Sequence, residues 1–131
     1  MTLTENNTTP TLKLSLKAFS SIIEMAGYGI GYWASTMSRV PSDIPWEGLE
    51  DAGFFYCKAC RFTEAESGDE FLITREMMEK AALDLYVKSP LNNYYMSAIR
   101  SLVTTGCAGE VGSDIADALV QQACFGEVVY G

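Results

Sequence analysis

Gly27-Tyr28-Gly29-Ile30-Gly31-Tyr32-Trp33-Ala34 is the stretch on which the reading of this chain turns. Three glycines at every second position, threaded with three large rings, let a backbone change direction sharply while keeping those rings close together. Upstream, Leu12, Leu16, Phe19, Ile23 and Ala26 recur at steps of three and four, with Lys13, Lys17, Ser20 and Glu24 on the other face. That spacing predicts an amphipathic helix, with Thr9-Pro10 as its cap and first residue and Gly27 as its end. Downstream, Tyr32 to Val40 has the composition of a strand, closed by Pro41 and Pro45. The stretch therefore joins a helix to a sheet. It does not read as a phosphate loop, because such loops precede a helix whose first amides face the anion, and this one follows a helix and lacks lysine. Two readings remain: a structural corner, or a pocket wall in which Tyr32 or Trp33 stacks on a ring.

The aromatic-rich run Gly53 to Thr63 predicts a second strand, the Ser67-Gly68 turn a hairpin, and Glu70 to Ile73 a short third strand. The connection through Trp46 carries Asp43, Glu47, Glu50 and Asp51 with no base, and is long enough to be a lid or a surface loop. Thr74 caps a second helix, in which Glu76, Lys80, Asp84 and Lys88 form a solvated stripe and Met77, Ala81 and Leu85 face inward. Ser89-Pro90 opens a third helix reaching Thr105, with Tyr95, Ile99, Leu102 and Val103 on its apolar face and Arg100 as its one charge. So little charge predicts burial on more than one side, and the helix of residues 90–105 is the expected contact of a homo-oligomer. Ser113 caps a fourth helix, apolar around most of its circumference and so central. Glu127 to Tyr130 reads as a last short strand. The expected architecture is α+β: a small antiparallel sheet of about three or four strands against about four helices. Residues 1–8 form a flexible leader and residues 9–131 one compact domain.

With 131 residues, nearly half of them apolar, the chain is large enough for one core without disulfides or metals. Its net charge of −8 argues against a nucleic-acid partner, since phosphate binding needs clustered Lys and Arg. No apolar run is long enough to span a bilayer, and the polar start lacks the basic and apolar segments of a signal peptide. A cytoplasmic location follows, in which Cys57, Cys60, Cys107 and Cys124 stay reduced. Histidine is absent altogether, which removes the commonest general base and metal ligand.

Cys57-Lys58-Ala59-Cys60 invites a zinc reading, but residues three apart on a strand diverge unless a bulge intervenes, so buried small side chains are the expectation, with no metal and no cofactor. Without histidine no nucleophile is activated, so no catalytic residue is expected. Asp114, Asp117 and Gln121 are the sharper signal. They fall on one stripe of a mostly buried helix, and such a stripe needs internal partners or a ligand. Pairing with Arg39, Arg61, Arg75 or Arg100 is the internal solution. The alternative is a cation, a ribose hydroxyl or a base amine.

Gly29-Ile30-Gly31-Tyr32-Trp33-Ala34, Ser113-Asp114-Ile115-Ala116-Asp117-Ala118 running into Gln121, and Phe125-Gly126-Glu127-Val128-Val129-Tyr130-Gly131 together resemble a family of small proteins encoded by tailed bacteriophages. The resemblance covers the first helix, its glycine exit and the C-terminal segment. Members often carry Glu-Gly before the Gly-Ile-Gly-Tyr-Trp run, where this chain has Gly27 and Tyr28. The resemblance implies a protein acting in the cytoplasm of an infected bacterial host by non-enzymatic sequestration of a nucleotide-derived immune signal. Tyr32 and Trp33 would stack on the base, Asp114, Asp117 and Gln121 would take ribose or base edges, and Arg61 and Arg75 would meet phosphates. The alternatives are an acidic inhibitor or nucleic-acid mimic that binds a host defence protein, and a minor virion component.

Overall fold

A computed structural model describes residues 11–131. In chain order its elements are α1 (Leu16–Ala26), β1 (Ala34–Pro45), a 3-10 turn (Glu50–Ala52), β2 (Phe55–Glu64), β3 (Glu70–Thr74), α2 (Arg75–Lys88), α3 (Asn93–Thr105) and α4 (Ser113–Phe125). The three strands form one antiparallel meander in the order β1-β2-β3, so the α+β class is as expected. Among the described residues no helix is long and apolar enough to cross a membrane.

α1 begins later than its periodicity suggests. Ser15 is the cap, its hydroxyl accepting from the Ala18 amide at 3.0 Å, and Leu12 is buried ahead of the helix rather than within it. The expected Thr9-Pro10 start and the leader Met1 to Thr8 lie outside the described residues. Ser20, expected on the polar face, is buried against β2. Its Oγ accepts from the Cys57 amide at 3.0 Å and donates to the Cys57 carbonyl at 3.3 Å, so a polar side chain fills the backbone bonds of a strand that helix α1 covers.

β1 runs on through Pro41 to Pro45, beyond the expected stop at Val40, because an edge strand tolerates residues without an N–H. The register pairs Val40 with Ala59 and then Pro41 with Cys57, which leaves Lys58 as an extra residue on β2. That bulge resets the alternation, so Cys57 and Cys60 are both buried instead of facing opposite sides. Burial raises both thiol pKa values, that of Cys60 to about 12. No group of three or more Cys, Asp and Glu among the described residues is placed to hold a metal.

Thr74 caps α2 as expected, but Met78 rather than Met77 joins Ala81 and Leu85 in the core. Ser89 does not open α3. It closes α2 in the left-handed region (φ 48°), its amide reaching the Leu85 carbonyl at 2.9 Å. Asn92 caps α3 instead, its side chain accepting from the Tyr95 amide at 3.2 Å. α4 starts one residue after Gly112, which takes the cap position in place of Ser113. It touches α1, α2, α3 and β3, and its Ile115, Ala116, Leu119 and Val120 lie in the core with Phe19, Ile22, Phe62 and Leu102. The tail Glu127 to Tyr130 is not a strand: its amides turn to a side chain of α4.

The glycine stretch is a run of tight turns carried by amide bonds from Tyr28, Gly29, Ile30, Trp33 and Ala34 to carbonyls three or four residues back. None of Gly27, Gly29 and Gly31 has a positive φ. What glycine supplies is space, most of all at Gly29 and less at Gly27, where a Cβ would lie 3.2 Å from the flexible end of Met37. A Cβ on Gly29 would lie 3.0 Å from the Ser113 carbonyl oxygen, whereas one on Gly31 would meet nothing within 4 Å. The exit of α1 thus passes against the start of α4, and that contact brings Tyr32 and Trp33 to the polar stripe of α4.

Candidate functional site

Trp33 is buried and Tyr32 is half exposed, the two side chains leaving the last tight turn of the α1 exit just before β1 begins. Both nevertheless reach Asp117. Tyr32 Oη donates to Asp117 Oδ2 at 2.6 Å and Trp33 Nε1 donates to Asp117 Oδ1 at 2.7 Å. One turn further along α4, Gln121 Nε2 donates to Asp117 Oδ1 at 2.9 Å, to Tyr32 Oη at 3.3 Å and to the Tyr130 carbonyl at 3.2 Å. The Gln121 Oε1 accepts from the amides of Val129 and Tyr130 at 2.8 and 2.7 Å. Every side-chain polar atom of Asp117 and Gln121, the buried part of the stripe, is therefore used, and their internal partners are neutral donors and the tail, not arginine. Among the described residues Asp117 has no cation within 4.0 Å, the ion pairs being Lys17–Glu47, Arg39–Glu24 and Lys80–Asp84.

The tail completes the cluster. The Tyr130 ring stacks on Trp33 with centroids 5.7 Å apart and planes 5° from parallel, Phe125 meets Trp33 edge-on at 5.4 Å, and the Tyr130 hydroxyl bonds the Glu64 carboxylate. Burial of its hydroxyl end, and then its bond to Asp117, pushes the Tyr32 phenol up to about 12. Tyr130 is pushed up to about 12 chiefly by its bond to Glu64, whose own pKa is lowered by that hydroxyl and by Ser67.

A cleft of about 670 Å³ opens over this network between α3, α4 and the tail. Its walls include Tyr32, Tyr95, Asp114, Asp117, Gln121 and Tyr130, with Gly29, Leu91, Asn92, Ser113, Ala118, Val128 and Gly131 filling the remainder. Asp114 is exposed. Its Oδ1 accepts from the Ile115 amide at 2.9 Å, and among the described residues no donor reaches its Oδ2. The negative charges of Asp114 and Asp117, after burial, raise the Tyr95 pKa. Among the described residues the lining holds no Lys or Arg.

Of the residues singled out from the sequence, Tyr32, Asp114, Asp117 and Gln121 line the cleft. Trp33 lies behind the wall and holds Asp117. Arg61 does not line it; it is exposed on the sheet, paired across the strands with Ser38 and Leu72. Arg75 does not line it either, and donates to the Leu14 carbonyl at 3.4 Å. Tyr95, Asn92 and Tyr130 are wall residues that no local pattern marked as such. Tyr130 had a signal in the terminal Phe125 to Gly131 run, and Tyr95 in the low charge of its helix. No protein family, curated protein or solved structure matches the chain.

Proposed function

We propose that the protein is a non-enzymatic binder of a nucleotide-derived small molecule, which it sequesters by holding the nucleoside end in the cleft between α3, α4 and the tail. One observation carries this reading: the cleft sets the rings of Tyr32, Tyr95 and Tyr130 around two carboxylates, one of which, Asp114, keeps an unused oxygen. Rings of this kind take the face of a base, and a free carboxylate oxygen takes a ribose hydroxyl or an exocyclic amine. The same lining repels anions, because it contains no cation and the chain carries a net charge of −8. The phosphates of such a ligand therefore point to solvent. This departs from a role for Arg61 and Arg75 in meeting them.

The test is a thermal-shift and calorimetric series with nucleosides, mononucleotides and cyclic dinucleotides, followed by heat release and mass analysis of the ligand. A ligand at a hundred times its Kd stabilises the native state by about 2.7 kcal/mol. The expected result is a raised midpoint with at least one base, equal or better binding of the nucleoside than of its phosphate ester, loss of the shift in Asp114→Asn, and recovery of the ligand intact. Cleaved product would make the protein an enzyme. A midpoint moved only by small organic amines would replace the nucleoside with a cation, and a midpoint moved by nothing in the series would overturn the reading.

A further inference from the structure

Away from the cleft, the end of β1, the connection that follows and the first residue of β2 leave Ile44, Leu49, Phe54 and Phe55 exposed, at 54, 45, 59 and 46% of their surface. Isolated apolar side chains at a surface are ordinary, but Leu49, Phe54 and Phe55 line one groove together and form a patch of the kind that marks an interaction site, with Ile44 on the neighbouring surface beside Glu47 and Glu50. A groove of about 400 Å³ runs beside it, lined by Glu24, Arg39, Trp46, Leu49, Phe54 and Phe55.

The connection is built rather than loose. The Trp46 amide bonds the Phe54 carbonyl at 2.8 Å, closing its base. Leu49 and Ala52 continue with amide bonds to Trp46 and Leu49 at 2.8 and 3.1 Å, and Gly53 (φ 77°) turns the chain back. Trp46 packs on Tyr56 with ring centroids 4.9 Å apart, and the Glu47 amide donates to the Tyr56 hydroxyl at 3.3 Å. A patch held in this way loses little conformational entropy when a partner covers it.

Charge decides among the possible occupants. Between Val40 and Cys57 the chain has Asp43, Glu47, Glu50 and Asp51 and no Lys or Arg. Glu47 meets Lys17 at 3.0 Å, and that pair is exposed and weak. Arg39 in the groove is taken by Glu24 at 3.3 Å. An anionic membrane surface or a nucleic acid would be repelled. A second copy of this chain would set the same four acids against themselves in a two-fold contact. Strand addition along this end of β1 is blunted by Pro41 and Pro45, so recognition runs through side chains. We propose that residues 43–55 dock a basic segment of a partner protein, its apolar side chains seated on Leu49, Phe54 and Phe55 and its Lys or Arg residues facing the four acids.

The probe is a synthetic peptide of alternating arginine and leucine, compared with one in which serine replaces leucine and one in which glutamate replaces arginine, each titrated by calorimetry and by amide chemical shifts on the full chain. Expected is binding of the arginine–leucine peptide with shifts confined to residues 43–57, weakened about tenfold or more in the Leu49→Ser/Phe54→Ser double variant, as for loss of an apolar anchor. Neutralising Glu50→Gln with Asp51→Asn should weaken it and flatten its salt dependence, while Glu76→Gln with Glu110→Gln on other surfaces leaves it unchanged. Native midpoints of all variants are measured alongside, and exposed substitutions of this kind should keep them. Equal binding of the arginine–serine peptide, or equal loss in the Glu76/Glu110 variant, would reduce the effect to general acidity and overturn the proposal. So would concentration-dependent dimerisation that the Phe54→Ser change abolishes, which would assign the patch to a second copy.

Discussion

Asp117 accepts from the indole of Trp33 at 2.7 Å across 84 residues of sequence, and this one bond fixes the exit of α1 to the centre of α4. The carboxylate is buried, its second oxygen is held by Tyr32, and three neutral donors stand where a cation would otherwise be needed. Hydrogen bonds to a charged acceptor are worth more than neutral ones, and each buried donor left behind by a deletion adds a desolvation cost. Asp117→Ala should therefore destabilise the fold by about 3 kcal/mol. Asp117→Asn should cost less, because one oxygen remains to accept from Trp33. Denaturant unfolding followed by tryptophan fluorescence measures both, and equal stability of the alanine variant and wild type would refute the structural role.

Gly29 and Gly31 look alike in sequence and should behave oppositely. Alanine at Gly29 drives a methyl against the Ser113 backbone oxygen, so the α1 exit and α4 must separate, at a cost of about 1 to 3 kcal/mol. Alanine at Gly31 meets open space at a position without positive φ, and by restricting the unfolded chain it should be neutral or stabilise by about 0.5 kcal/mol. Thermal midpoints of the two single variants settle the contrast.

Gln121 holds the tail through both ends of its amide. Gln121→Leu keeps the volume but leaves the Val129 and Tyr130 amides without their acceptor. The expected outcome is faster hydrogen exchange at those two amides and loss of the Tyr130 stack on Trp33, with helix α4 protected as before. Ligand affinity in the cleft should fall with it, since Val128, Tyr130 and Gly131 form one wall.

Two pH limits follow from the phenols and from Glu64. The Tyr32 and Tyr130 phenols are pushed up to about 12 in the native state, from the ordinary tyrosine value of about 10, so the stability they contribute is complete below about pH 10 and is lost as pH rises from about 10 through about 12. Both should ionise late in an alkaline absorbance titration, and Tyr32→Phe should remove one late step. Glu64 is shifted the other way. Its contribution is present above the ordinary glutamate pKa of about 4.3 and is lost as pH falls through its lowered native value. Tyr130→Phe should weaken that acid-side dependence, and combining it with Ser67→Ala should remove what is left, read as the pH profile of the unfolding midpoint.

The helix and strand periods, the meander around Ser67-Gly68 and the polar stripe Asp114, Asp117, Gln121 were all legible in the sequence, because each depends on neighbours a few residues apart. Caps were less so. Asn92 displaced Ser89 because several residues nearby have the right chemistry, and packing of the helix decides which one is at its end. The inward turn of both Cys57 and Cys60 needed the bulge at Lys58, a property of register against β1 and invisible in β2 alone. Local pattern also marked Glu127 to Tyr130 as a strand, yet with Gln121 beside it the tail finds its acceptors in a side chain. The stripe on α4 announced that it must be satisfied; only the tertiary structure chose Trp33, Tyr32 and the tail over arginine, since hydrogen-bond partners so far apart in sequence leave no periodic trace.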